Sequence, residues 1–173
     1  MKKIVITGPE SCGKSTLTSQ LAKHYKAPFI AEHAREYLDL KDGVYKESDL
    51  LQIAKTQIEK EDLIISNFNQ EYIFLDTDLL TLKIWAMDKF ERCDPWIIDQ
   101  VKKRKYDFYL LCKPDLPWTP DPLRENPFDR SRIYKAYESE LYLYQKPFNI
   151  VKGLGDDRLK NAIDLIDSYF TTS

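Results

Sequence analysis

Residues 8–15 read Gly-Pro-Glu-Ser-Cys-Gly-Lys-Ser, the complete G-x-x-x-x-G-K-[ST] spacing of a phosphate-binding loop. A short apolar run at residues 3–7 precedes the loop. In the segment that follows it, apolar residues recur at every fourth position, namely Leu17, Leu21 and Tyr25. This pattern predicts a strand, a tight turn and an amphipathic helix, which is the context that the motif requires. The sequence therefore predicts a binding site for a nucleoside triphosphate.

The chemistry expected of this loop follows from its residue types. Gly8 and Gly13 allow the backbone to turn so that several N–H groups point into one concavity, at the positive end of a helix. Lys14 can reach the β- and γ-phosphates, and the hydroxyl of Ser15 can ligate Mg²⁺. We therefore expect ATP and Mg²⁺ as ligands. The expected phosphate-binding set is Gly8, Pro9, Glu10, Ser11, Cys12, Gly13, Lys14, Ser15 and Thr16.

Composition narrows the class of protein. A length of 173 residues, with 43% apolar and 31% charged residues, is typical of one globular domain. The formal net charge is −2 and no basic tract stands out, so we expect neither a nucleic-acid nor a membrane partner. Three cysteines without a C-x-x-C pair suit a reducing compartment, and we expect a cytoplasmic location. The sequence leaves the oligomeric state open.

Four further apolar runs predict buried strands, and two segments with helical periodicity lie among them. The runs span residues 28–31, 72–75, 108–111 and 148–151, and the helical segments span residues 47–67 and 156–170. The runs are continuously apolar, as expected when helices cover both faces of a parallel sheet. We therefore predict a single α/β domain over residues 1–173, with a doubly wound five-stranded parallel sheet and ligands at the carboxyl ends of its strands.

Acidic residues follow two of these runs. Glu32 comes after the second run, where its carboxylate could accept the proton of a hydroxyl that attacks the γ-phosphate. The alternatives are a solvated glutamate at a helix start, or one paired with Arg35. Asp76 comes directly after the third run, the usual place of the second Mg²⁺ element in phosphate-loop enzymes. Asp78 could contact a substrate or cap the following helix.

A proline-rich stretch follows the fourth run. Five of the nine prolines fall in residues 113–129, and irregular segments of this length are usually functional. Three arginines within nine residues suit a lid, at about residues 117–132, that closes on a triphosphate. We expect Arg124 to act in catalysis, Arg130 to bind the nucleotide, and Trp118 to stack on the protein or on a base. The alternative is a solvated loop.

Two features test whether the chain is a regulatory GTPase. Residues 112–115, Cys-Lys-Pro-Asp, resemble the guanine-reading Asn-Lys-x-Asp, but a thiol cannot replace the asparagine amide, which both donates and accepts. None of the five glycines lies three residues after an aspartate, so the D-x-x-G switch is missing. A GTPase is therefore disfavoured. Residues 152–155, Lys-Gly-Leu-Gly, could approach a base or form an ordinary turn.

Taken together, the motifs resemble the ribosylnicotinamide kinase domain of NadR-type proteins. The resemblance covers most of the chain and is carried by residues 8–15, by Glu32-His33-Ala34-Arg35-Glu36-Tyr37, by Ile53-Ala54-x-x-Gln57, by Phe74-Leu75-Asp76-Thr77-Asp78-x-x-Thr81, by Tyr106-Asp107-x-x-x-Leu110-Leu111 and by Asp115-x-Pro117-Trp118-x-x-Asp121-x-x-Arg124. It implies a phosphate-loop fold of the nucleoside-monophosphate-kinase type.

The resemblance also implies a reaction, namely the phosphorylation of the 5′-hydroxyl of nicotinamide riboside by ATP. By position, Glu32 is implied as base or ribose anchor, Asp76 as a partner of Mg²⁺ beside Ser15, and Arg124 as a partner of the phosphates. The implied acceptor-binding residues are Glu32, Arg35, Tyr37, Asp78 and Trp118, with Trp85 as a further aromatic candidate. No H-x-G-H motif is present, so the expectation is the kinase alone.

Two other functions remain open from the sequence. The first is a phosphate-loop kinase of another nucleoside or small metabolite, which would use the same phosphate machinery. The second is a regulatory nucleotide-binding ATPase module. The carboxylate at Glu32 and the arginine-rich segment favour phosphate transfer over regulation.

Overall fold

The computed structural model describes residues 1–41, 43–121 and 128–171, which hold five strands and seven helices. The strands are β1 Lys2–Thr7, β2 Phe29–Ile30, β3 Tyr72–Asp76, β4 Phe108–Cys112 and β5 Phe148–Val151. The helices are α1 Lys14–Tyr25, α2 His33–Asp39, α3 Glu47–Asn67, α4 Leu79–Phe90, α5 Pro95–Lys103, α6 Arg130–Leu143 and α7 Gly155–Thr171. Every strand pairing is parallel and the strand order is β2-β3-β1-β4-β5, which confirms the predicted five-stranded parallel sheet.

The strands are apolar throughout because each face of the sheet is covered by helices. Successive side chains of a strand point to opposite faces, and in β1 Val5 belongs to one core cluster while Ile4 and Ile6 belong to the other. Helices α1 and α7 pack on the face of Ile4, and helices α2 to α6 supply the face of Val5. Burial on both faces removes the alternation of apolar and polar residues that a half-exposed strand would show.

Helix boundaries follow local capping signals. Helix α4 begins after Asp78, whose carboxylate accepts a hydrogen bond from the N–H of Leu80. Asp78 therefore caps this helix, which was one of the two roles predicted for it. Helix α5 begins with Pro95 after Asp94, which caps the N–H of Trp96. Helix α3 begins and ends at the predicted residues.

The parallel arrangement places the carboxyl ends of the strands at one edge of the sheet. Thr7 of β1, Asp76 of β3 and Cys112 of β4 end their strands there, and β2 leads to Glu32 two residues after its last residue. This edge therefore gathers the chemically active residues of segments that are far apart in sequence. Over the described part of the chain, no helix has the length and apolar character needed to cross a membrane.

Candidate active site

The phosphate loop connects β1 to α1 and takes its shape from two glycines with positive φ. Gly8 has φ 137° and Gly13 has φ 76°, conformations that other residues rarely adopt. A Cβ atom on Gly8 would lie 2.8 Å from the carbonyl oxygen of Cys112, so a side chain there would displace the backbone of β4. The loop therefore sits directly against the neighbouring strand, and its glycines are required by geometry.

Lys14 begins helix α1 at the centre of this loop. Its amine donates a hydrogen bond to the carbonyl oxygen of Pro9 at 2.8 Å. Burial opposes its charge, but the nearby thiol of Cys12 and the carboxylates of Glu32 and Asp76 outweigh that effect and raise the pKa of Lys14. The ammonium group therefore stays charged at neutral pH.

Ser15 and Asp76 form the pair expected to hold Mg²⁺. Ser15 follows Lys14 in the loop and is close enough to Asp76 to lower the pKa of that carboxyl group, which is buried with an exposed fraction of 5%. Burial raises the pKa of Asp76, while Ser15 and Lys14 lower it. The oxygen Oδ1 of Asp76 is buried and has no hydrogen-bond partner among the described residues, although buried polar atoms are normally paired.

This donor set fits a magnesium ion. Mg²⁺ usually binds one or two protein oxygens and completes its shell with phosphate and water. Within the described residues, no group of three or more histidine, cysteine, aspartate and glutamate side chains could hold a metal ion. Asp76 and Ser15 would therefore hold Mg²⁺ together with the phosphates of a bound nucleotide.

Glu32 precedes helix α2 and is partly buried beside the phosphate loop. Burial raises the pKa of Glu32 to about 7, with Lys14 lowering it and Asp76 raising it further. A carboxyl group with this pKa exchanges a proton near neutral pH, as a general base must. Arg35 pairs with Asp121 at 3.0 Å, so the alternative of a simple Glu32–Arg35 ion pair does not describe this structure.

One cavity joins the phosphate loop to the residues expected on the acceptor side. Its lining consists of Glu10, Ser11, Cys12, Gly13, Lys14, Ser15, Thr16, Glu32, Arg35, Leu38 and Trp85. Seven predicted phosphate-binding residues, 10–16, thus share one space with two of the predicted acceptor residues, Glu32 and Arg35, while Gly8, Pro9 and Arg130 lie outside the lining. The arrangement can place a hydroxyl group between a base and a triphosphate.

Sequence reasoning missed Leu38 and left Trp85 outside the main acceptor set. Leu38 is buried on α2, and Trp85 lies on α4, seven residues after Asp78. Asp78 precedes the helix and lies outside the cavity lining, so its spacing from Trp85 gave no usable signal, and the packing of α4 decides where Trp85 lies. Leu38 and Trp85 add a large apolar surface to a cavity lining that otherwise consists mostly of polar and charged residues.

Three predicted acceptor residues lie outside this lining. Asp78 is buried, and its second oxygen accepts a hydrogen bond from the hydroxyl of Tyr109 at 2.8 Å. The hydroxyl of Tyr37 donates to Asp49 at 2.9 Å. Trp118 packs against the guanidinium of Arg130, 5.7 Å from its ring centre. Substrate contact by these three residues remains a prediction.

The structure describes only part of the segment predicted to form a lid, residues 117–132. Residues 122–127, which include Arg124, lie outside the described residues. Arg130 donates to the carbonyl oxygens of Ser11 and Leu116, at 3.1 and 2.9 Å. The N–H of Thr119 donates to the hydroxyl of Ser11 at 2.9 Å. The segment before residue 122 therefore rests directly on the phosphate loop.

Comparison with known proteins agrees with this geometry. A family model described as an AAA domain matches residues 3–158. The trifunctional NAD biosynthesis/regulator protein NadR of Salmonella typhimurium is 27% identical over 154 residues, which cover 87% of this chain and 37% of that protein. The chain thus spans well under half the length of this curated relative.

Solved structures show the same fold. A crystal structure of NadR with NAD and AMP-PNP is 25% identical, with a TM-score of 0.79 over 97% of this chain and 49% of that one. A structure of NadR with NR is 24% identical, with a TM-score of 0.81 over 97% of this chain and 50% of that one. A deoxyadenosine kinase from M. mycoides, 17% identical, has a TM-score of 0.69 over 96% of this chain and 99% of its own. These comparisons confirm the resemblance to NadR-type proteins and the phosphate-loop kinase fold.

Proposed function

The chain belongs to the AAA-domain family, and within that family we propose that it is an ATP-dependent kinase of nicotinamide riboside. The product would be nicotinamide mononucleotide, a step of NAD biosynthesis. The similarity to NadR supports the choice of this acceptor over other ribosides.

One observation carries the proposal: Glu32 lines the same cavity as Lys14 and Ser15. A module that binds a nucleotide without transferring its phosphate has no proton for this carboxyl group to accept, whereas a kinase uses such a group to take the proton of the acceptor hydroxyl. The raised pKa of Glu32, about 7, suits a group that must take up a proton in each turnover at neutral pH.

In the proposed phosphoryl transfer, each residue has a separate role. Glu32 accepts the proton of the 5′-hydroxyl group while the oxygen of that hydroxyl group forms a bond to the γ-phosphorus. The bond between the γ-phosphorus and the β–γ bridging oxygen breaks, and ADP leaves. Lys14 supplies positive charge where negative charge develops on the phosphoryl oxygens. When bound, Mg²⁺ would neutralise phosphate charge, and Ser15 and Asp76 are the residues that would hold it.

The acceptor wall suits a cationic ring. Nicotinamide riboside carries a positive charge, which gains free energy over an aromatic face and beside carboxylates. Trp85 provides the aromatic face in the cavity, and Glu32 provides a carboxyl group. The charge of Arg35 is compensated by Asp121 at 3.0 Å, so it opposes a cation less than a free guanidinium would.

The test is a measurement of ATP consumption with a panel of ribosides and the mass of each product. We expect ADP and nicotinamide mononucleotide from ATP and nicotinamide riboside, with uridine, cytidine and adenosine turned over more slowly. Equal rates with neutral nucleosides would identify a kinase of another acceptor. ATP hydrolysis that is independent of any acceptor would identify a regulatory ATPase module.

A further inference from the structure

Arg158 lies beneath the phosphate loop, although no sequence motif singles it out. Its side chain is buried, with an exposed fraction of 5%, at the start of α7. Its guanidinium donates to the carbonyl oxygens of Cys12, Gly153 and Lys113, at 2.8, 3.0 and 3.1 Å. It also pairs with Asp115 at 2.7 Å. One side chain thus contacts the phosphate loop, the end of β4 and the turn before α7.

The contact with Cys12 bears on phosphate binding because of peptide geometry. A trans peptide is planar, and its C=O and N–H point in opposite directions. When Arg158 holds the carbonyl of Cys12 from outside the loop, the N–H of Gly13 points the other way. Arg130 holds the carbonyl of Ser11 in the same manner, which orients the N–H of Cys12. Two arginines therefore hold two successive peptide planes of the loop.

Oriented N–H groups are what a phosphate loop uses to bind an anion. Orienting them before the ligand arrives lowers the cost of binding, because the loop need not reorganise. Asp115 fixes the guanidinium in turn, since its other oxygen accepts a hydrogen bond from the N–H of Gly153 at 2.9 Å. Asp115, the aspartate of the Cys-Lys-Pro-Asp segment, thus binds the arginine that contacts the phosphate loop and is not available to a guanine base.

We propose that Arg158 is a positioning residue for the triphosphate, which acts by holding the Cys12–Gly13 peptide in its anion-binding orientation. The inference rests on the proposed function, because it assumes that the loop binds nucleotide. It makes a separate claim, that a residue without contact to the phosphates sets the affinity for them.

The experiment measures binding of Mg-ATP and of magnesium tripolyphosphate by calorimetry, with a melting curve for each protein. Arg158→Met keeps much of the volume and removes every donor, whereas Arg158→Lys keeps one charged donor. We expect the affinity for both ligands to fall about tenfold or more in the first variant and less in the second, since hydrogen bonds to charged groups are strong. The KM for the riboside should stay unchanged in both.

Arg104→Met is the matched control. Arg104 is also a partly buried arginine paired with carboxylates, Glu61 at 2.7 Å and Asp62 at 2.6 Å, but it contacts no part of the phosphate loop among the described residues. We expect this variant to lower the melting temperature and to leave the affinity for both ligands unchanged.

The outcomes separate the two proposals. If Arg158→Met lowers the melting temperature as Arg104→Met does and binds tripolyphosphate like the wild type, the positioning role is wrong. If Arg158→Met does not fold, Arg158→Lys and Asp115→Asn decide, and wild-type affinity in both overturns the role. If the wild-type chain binds neither ATP nor tripolyphosphate, the proposed function fails without reference to Arg158.

Discussion

The two walls of the cavity are built in different ways. The phosphate wall comes from one continuous segment, residues 10–16, and we expect it to act largely through backbone groups whose orientation depends on Gly8 and Gly13. The acceptor wall comes from side chains of α2 and α4, with Leu38 and Trp85 brought together by packing. The phosphate wall depends on loop shape, and the acceptor wall depends on the identity of a few side chains.

This difference predicts how substitutions behave. Backbone groups bind the phosphates of any nucleotide, so damage to the phosphate wall should affect every reaction of the protein. Damage to the acceptor wall should change which acceptor is used, while ATP binding remains. The following predictions test that separation, beginning with the largest expected effect.

Lys14→Ala should lower turnover about 10²–10³-fold and leave the fold intact. One preorganised charge aimed at the phosphoryl group typically accounts for a loss of this size. Among the described residues, the amine of Lys14 hydrogen-bonds only to a loop carbonyl, that of Pro9, so little stability depends on it. The measurement is steady-state turnover with a melting curve. Lys23→Ala, at an exposed position of α1, is the control, and normal turnover by Lys14→Ala would contradict the phosphate-loop assignment.

Glu32→Gln should lower kcat by roughly 10²-fold, because a loose phosphoryl transition state needs less of a base than many reactions do. In the wild type, kcat/KM should rise with pH up to about 7, where Glu32 becomes ionised. The variant should lose this dependence. A steep rise in acceptor KM with an unchanged kcat would instead make Glu32 a ribose anchor.

Ionisation of Glu32 should raise activity but lower the stability of the fold. The pKa of Glu32 in the folded chain, about 7, lies above its ordinary value of 4.5, so stability is lost as pH rises through about 7 and this partly buried group ionises. Glu32→Gln should therefore raise the melting temperature at pH 8 by roughly 2–4 °C for about 1 kcal/mol, and have little effect at pH 5. An equal shift at both pH values would contradict the burial of this charge.

Trp85→Ala should raise the KM for nicotinamide riboside about tenfold and leave the KM for ATP unchanged. A cation over an aromatic face is stabilised by up to about 2 kcal/mol, and each 1.4 kcal/mol is tenfold in affinity. Trp96→Ala, on α5 and outside the cavity lining, is the matched control. If both variants change the riboside KM equally, the effect comes from the fold and Trp85 is not a binding residue.

Asp78→Asn should have the smallest effect, a few-fold loss of preference for the cationic riboside over adenosine. Its amide oxygen can still cap α4 at Leu80, but its NH2 group cannot accept the hydrogen bond that Tyr109 donates to the second oxygen of Asp78, so we expect a lower melting temperature as well. Burial raises the pKa of Asp78 to about 6, so the carboxylate is ionised at pH 8 and can act at a distance by its charge. Asp94→Asn, at the cap of α5, is the control, and an unchanged preference would make Asp78 a structural residue.

The fold was largely predictable because its signals are local. The continuously apolar runs located the five strands to within two residues, and the periodicity of residues 47–67 located α3. Helices α5 and α6 were not predicted, although Asp94-Pro95 and the spacing of Ile133, Tyr137 and Leu141 would have indicated them. Helix α5 has only nine residues, and short helices give weak periodicity, so their existence depends on the packing of one face.

Site residues could be predicted where a sequence motif or the end of a strand requires one residue type at one position. Gly8, Lys14 and Asp76 follow from the loop motif and from the end of a strand. Leu38 and Arg158 did not follow, because a buried leucine and an arginine at a helix start are common everywhere in proteins. Their roles depend on which backbone groups and side chains lie opposite them.

The sequence alone determined the phosphate loop, the parallel sheet and the edge of the sheet where the active residues meet, because these depend on residues close together in the chain and on a fixed periodicity. The tertiary structure decided which aromatic residue lines the cavity, which carboxyl group has its pKa raised to about 7 and which arginine donates to the carbonyl oxygen of Cys12. Those properties arise from distances between segments up to about 150 residues apart, such as Cys12 and Arg158, and no local pattern encodes them.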